Sequence, residues 1–107
     1  NMTHPNKVKG NTFEREIVNR AKDKNLEAER AYASDGRSLG LHQEVDCVVK
    51  SQGVTWKIQA KRKKSGPKWI KTHKSVDALC FRFDNDAPKI IIDLEDFYDL
   101  IGGNYED

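Results

Sequence analysis

The segments Gln43–Ser51 (QEVDCVVKS) and Val54–Arg62 (VTWKIQAKR) decide how this chain folds. Both are rich in β-branched and apolar residues, and only Gln52-Gly53 separates them, so they read as one β-hairpin. Side chains alternate along a strand. Val54, Trp56, Ile58 and Ala60 therefore share one face, and Thr55, Lys57, Gln59 and Lys61 share the other. On the first strand Glu44 and Asp46 lie together, opposite Val45, Cys47 and Val49. The two polar faces coincide, which gathers a carboxylate, an amide and an amine at one edge of the sheet.

Phosphodiester hydrolysis uses those three kinds of group. A hard divalent cation such as Mg²⁺ prefers carboxylate, carbonyl and water oxygens, polarises phosphate and lowers the pKa of a bound water. Asp46 is the strongest candidate ligand. Lys61 is placed to orient the attacking water or to stabilise charge that develops on the phosphate. An ordinary amphipathic hairpin with a solvated polar face accounts for the same spacing.

Upstream, the pattern predicts a helix from about residue 11 to 24, with Phe13, Ile17, Val18 and Ala21 as its apolar stripe. Glu14 falls at the edge of that stripe, where it can turn toward the sheet. Asn11-Thr12-Phe13-Glu14 also has the spacing of a capping box, a competing reason for a glutamate there. Glu16 and Arg20 suit a solvent-facing i,i+4 pair. A short strand near residues 28–34 leads to the loop Asp35-Gly36-Arg37-Ser38-Leu39-Gly40. Its glycines permit unusual backbone angles, and Arg37 and Ser38 are candidates to hold a phosphate, although an ordinary turn explains the glycines equally.

Downstream, Pro67 suits the first turn of a short helix carrying Trp69 and Ile70. Residues 76–83 and 89–92 read as strands, and Asp93 as the N-cap of a last helix that runs through Ile101 and stops at Gly102. The resulting order is α-β-β-β-α-β-β-α, a single α/β domain with a mixed central sheet flanked by helices. Residues 1–8 are expected to be a flexible N-terminus ahead of a domain over residues 9–107.

Charge is distributed unevenly. The chain holds 19 Lys and Arg against 17 Asp and Glu. From Lys57 to Lys74 (KIQAKRKKSGPKWIKTHK) there is no acid, whereas from Asp84 onward acids surround the lone Lys89. Arg62, Lys63, Lys64, Lys68 and Lys71 directly follow the Asp46 and Lys61 edge, so a phosphate backbone is the partner this run suits, with binding that weakens as salt rises. A solvated face is the commoner meaning of such a run, and its position beside Asp46 favours nucleic acid.

The motifs Lys9-Gly10-Asn11-Thr12-Phe13-Glu14-Arg15-Glu16, Arg30-Ala31-Tyr32-Ala33-Ser34, Val45-Asp46 and Ile58-Gln59-Ala60-Lys61 resemble, in order and spacing, the PD-(D/E)xK nuclease superfamily. The resemblance is nearest to archaeal and phage Holliday-junction resolvases. It implies a restriction-endonuclease-like core and a Mg²⁺-dependent endonuclease, Mn²⁺ being an alternative ion, that acts in DNA recombination and repair. Four-way or other branched DNA is the implied substrate, and a homodimer the implied assembly. It further implies that Glu14, Ser34, Asp46, Gln59 and Lys61 form the catalytic set, with Asp46, Gln59, Ala60 and Glu14 about the metal. Glutamine stands at position 59 where the family pattern has an acid. An amide offers an oxygen but no charge, and metal affinity falls with ligand charge. A duplex nickase and a DNA-binding module with a decayed site are the alternatives.

Composition fits one modest core, with 36% hydrophobic and 34% charged residues. Apolar runs are strand-sized, which argues against a membrane span and for the cytoplasm, that of a host if the source is a phage. Cys47 and Cys80 lie in apolar runs without a CxxC spacing and read as reduced core thiols.

Overall fold

The computed structural model describes residues 5–32 and 35–104, with side chains from Thr12 onward. Helix α1 spans Pro5–Asp23. It begins before the expected start, with proline at its first position, where the missing N–H costs nothing. Asn11 therefore lies inside the helix and does not cap it. The apolar stripe is as expected: Ile17, Val18 and Ala21 are buried, and Phe13 packs at the margin. The helix closes in a Schellman turn. Asn25 takes φ 62°, its N–H bonds to Lys22 O at 2.9 Å, and the Leu26 N–H returns to Ala21 O at 2.9 Å.

Strand β1 (Glu27–Arg30) is shorter than the sequence suggests and pairs antiparallel with β2 (Cys47–Ser51), which pairs antiparallel with β3 (Val54–Ile58). Gln52 and Gly53 both have positive φ, 53° and 78°, the backbone of a tight two-residue hairpin turn that matches strand twist. The register sets Val49 opposite Trp56 and Cys47 opposite Ile58. That face lies under α1 and the C-terminal helix α2 (Leu94–Leu100). Tyr98 of α2 is fully buried and donates its hydroxyl to Ile17 O at 2.8 Å, tying the two helices together. Trp56 meets Phe97 edge to face at 5.0 Å.

Among the described residues the expected single mixed sheet does not form. Strands β4 (Ala78–Phe81) and β5 (Lys89–Ile92) make a separate antiparallel pair. A parallel strand needs a crossover, usually a helix. The stretch between β3 and β4 supplies only a three-residue 3₁₀ turn, Lys68–Ile70, because its lysines and Gly66-Pro67 give no apolar stripe. Among the described residues the protein is thus a small domain of two α-helices and two antiparallel sheets.

One buried ion lies outside the expected pattern. Lys24 is 1% exposed, and its ammonium contacts Asp99 and, at 3.4 Å, Glu95 Oε2, both from α2. Its long stem is desolvated while the charge meets carboxylates at the rim. Arg20 bridges Glu16 and Glu95, each at 2.8 Å, so the expected i,i+4 pair extends to the second helix.

Candidate functional site

Asp46 precedes β2 by one residue but remains in the ladder, since its N–H bonds to Ile58 O at 2.9 Å and its carbonyl accepts from Ala31 N at 2.9 Å. The residue is 9% exposed. Its Oδ2 accepts the Ala60 N–H at 2.6 Å, a short contact of the kind a charged acceptor makes. That bond fixes the carboxylate beside the residues that follow β3. Gln59 and Lys61 are both exposed there, with the half-buried Ala60 between them. Lys61 forms no ion pair with any described residue.

Glu14 is 4% exposed on the sheet side of α1. Because Asn11 is not a cap, the capping-box explanation of this glutamate fails. Its Oε1 lies 3.7 Å from Nη2 of Arg30, the last residue of β1. Arg30 carries a buried Nε without a hydrogen-bond partner among the described residues. A buried donor left unmatched is costly, and such positions call for an explanation. Nothing in the local sequence pattern gives Arg30 a role. The signal for it is tertiary, since helix and strand must pack before Glu14 and Arg30 meet.

Glu14 and Asp46 share one electrostatic neighbourhood. Cys47, fully buried beside them, has its thiol pKa raised to about 12, chiefly by burial and then by the negative charges of Glu14 and Asp46. This carboxylate pair, with the amide oxygens of Gln59 and Ala60, has donor chemistry suited to Mg²⁺, which commonly takes one or two carboxylates and keeps waters. Among the described residues no group of three or more His, Cys, Asp or Glu gathers as a metal cluster. Glu44, on the Asp46 side of the strand by alternation, is exposed, and its N–H is spent on His42 Nδ1 at 3.1 Å.

Ser34 lies outside the described residues. The loop that follows is more ordered than a plain turn. Asp35 caps the 3₁₀ turn Gly36–Leu39, accepting the Arg37 N–H at 3.0 Å, and also grips the Arg37 guanidinium, with Nε at 2.9 and 3.0 Å from its two oxygens. The pairing holds the Asp35 carboxyl below its ordinary range and raises Arg37. Ser38 Oγ accepts from Tyr32 N at 2.8 Å and donates to Asp35 O at 3.1 Å, so its hydroxyl serves the loop. Gly36 is buried, and a Cβ there would sit 2.0 Å from His42 O, so the loop closes only over a residue without a side chain.

Arg62, Lys63, Lys64, Lys68 and Lys71 are all exposed, and none pairs with a described acid. They run on from Lys61 along a segment with little secondary structure. Gln59 and Lys61 also border an open cleft of about 850 Å³ between α1, the end of β3 and α2, floored by Phe13, Ile58 and Leu94. No family model matches the chain, and neither a curated protein nor a solved structure was found to be similar to it. No helix among the described residues is long and apolar enough to cross a membrane.

Proposed function

We propose that the protein is a Mg²⁺-dependent endodeoxyribonuclease of the Holliday-junction-resolvase type, its domain a compact version of the restriction-endonuclease-like core. One observation carries the reading. Asp46 is held by the Ala60 N–H at 2.6 Å, directly beside a Lys61 that pairs with no described acid and from which an exposed, acid-free basic run departs. Structural carboxylates are normally paired with cations. Here the carboxylate is spent on a backbone amide, which leaves the neighbouring lysine available to a phosphate.

In this reading Asp46, Gln59, Ala60 and Glu14 hold Mg²⁺ or Mn²⁺, which when bound polarises the scissile phosphate and acidifies a water. Lys61 stabilises the charge growing on the phosphate oxygens. Arg30 keeps the Glu14 carboxylate in place. Arg62, Lys63, Lys64, Lys68 and Lys71 hold the strand, together with Arg37 and Ser38 of the loop that follows β1. A twofold dimer would address two strands of one junction.

The neutral Gln59 and the absence of a three-acid cluster among the described residues favour a second reading, a DNA-binding module without catalysis. One experiment separates them. Purified protein is incubated with a labelled four-way junction and with linear duplex in Mg²⁺ or Mn²⁺, beside Asp46→Ala and Lys61→Ala. Paired incisions of the junction, lost in both variants, support the resolvase; nicks in linear duplex indicate a nickase; tight binding with no cuts in either ion refutes catalysis and leaves the module.

A further inference from the structure

Strands β4 (Ala-Leu-Cys-Phe) and β5 (Lys-Ile-Ile-Ile) are apolar on both faces, the pattern of strands covered on both sides. The register pairs Leu79 with Ile91 and Phe81 with Lys89, while Ala78 meets Ile92 and Cys80 meets Ile90. The first face is covered in part: Leu79 and Phe81 are half-buried, and Trp69 lies 5.2 Å from the Phe81 ring. The second face is open. Ile90 is 64% exposed, and Leu100, beside it on α2, is 76% exposed. Together Ala78, Ile90, Ile92 and Leu100 floor a groove of about 490 Å³.

The rim of this groove is acidic. Asp77, Asp96 and Asp99 line it. Asp99 is engaged by Lys24, whereas Asp77 and Asp96 pair with no described base. A second copy laid face to face here would oppose carboxylate to carboxylate across an apolar seam. The chain's own basic run cannot cover it either, because Trp69 fixes that run over the opposite face of the hairpin.

The geometry points to a docking groove for a basic amphipathic segment of a protein partner, its apolar side chains on Ile90, Ile92 and Leu100 and its lysines or arginines facing Asp77 and Asp96. Such helix-in-groove recognition combines apolar anchors with flanking charge. This surface meets the cleft beside Gln59 and Lys61 only at Asp96, which lines both, and it does not depend on the nuclease reading.

The test uses three synthetic labelled peptides and the intact protein. The first places leucines at i, i+3, i+4 and i+7 with lysines between; the second replaces leucine with serine; the third replaces lysine with glutamate. Anisotropy should show binding of the first alone, weakened about tenfold by Ile90→Ser and again by Asp77→Asn with Asp96→Asn. Because Ile90 lies open to solvent, the variant should fold, and its circular dichroism melt checks this. Equal binding of the serine peptide, or affinity unchanged by Ile90→Ser, overturns the proposal. So does sedimentation showing a wild-type dimer that Ile90→Ser separates, since a second copy would then occupy the face.

Discussion

Replacing Asp46 in two ways separates its structural bond from its charge. In Asp46→Ala the Ala60 N–H loses its acceptor at 2.6 Å. Asp46 is 9% exposed and Ala60 is half-buried, so water replaces that acceptor poorly. An unsatisfied buried donor costs about 1–3 kcal/mol, and about 2 kcal/mol is apt for this site. In Asp46→Asn the amide oxygen still accepts from Ala60, so the destabilisation should stay below about 1 kcal/mol. Urea unfolding monitored by tryptophan fluorescence reads both, since a small domain of this kind unfolds in a single transition. With a slope of about 1.5 kcal/mol per M, the alanine variant should shift the midpoint down by roughly 1.3 M and the asparagine variant by no more than about half as much. Junction cleavage should be abolished in both. If Asp46→Asn is as unstable as Asp46→Ala, the carboxylate charge and not the bond holds this corner, and the reasoning from Ala60 fails. Wild-type cleavage by either variant would remove Asp46 from the chemistry.

Three further outcomes follow from the geometry. Cys80 is exposed while Cys47 is buried with its thiol pushed up to about 12, so at about pH 8 a thiol reagent should label one cysteine in the native protein and both in denaturant. Peptide mapping identifies the native label as Cys80, and rapid labelling of Cys47 would contradict the packing. Gly36→Ala drives a Cβ to 2.0 Å from His42 O, so thermal melting should reveal a destabilisation of at least about 3 kcal/mol; a melt within about 2 °C of wild type would show that the loop yields freely. Lys63→Ala with Lys64→Ala should flatten the slope of log affinity for duplex DNA against log salt by about 0.9 for each phosphate that the two lysines cease to neutralise, and an unchanged slope would place the DNA elsewhere.

The β2–β3 hairpin is readable in its faces because β3 alternates and a dipeptide that accepts positive φ joins it to β2, although Val48, apolar and buried, breaks the alternation of β2. The core stripe of α1 is readable for a similar reason, its apolar residues recurring at helical spacing. The helix start is not, since residues 5–10 carry little apolar signal and Asn11 offers a plausible false cap. Residues 59–77 mislead in another way. Pro67, Trp69 and Ile70 suggest a helix, but without a buried face the segment folds only into one short turn, and the sheet expected around it divides into two. At the site, Asp46, Gln59 and Lys61 are legible as neighbours along a strand pair. The pairing of Arg30 with Glu14 and the burial of Lys24 are not, because both depend on meetings with a helix distant in sequence that no local pattern encodes.

The Asp35–Arg37 clasp changes what that arginine can give to a nucleic acid. Its guanidinium is already neutralised by a carboxylate, so meeting a phosphate there exchanges one anion for another. Such an exchange displaces few condensed cations from the polymer, and the meeting would be nearly silent in a salt titration even when it is made. What it would register is shape, since a phosphate would have to offer the guanidinium the same two-oxygen fork as the carboxylate it replaces. Under the nuclease reading the loop would act as a geometric filter and the basic run as a sequence-blind electrostatic track, the one sorting how a backbone bends and the other merely that it is charged.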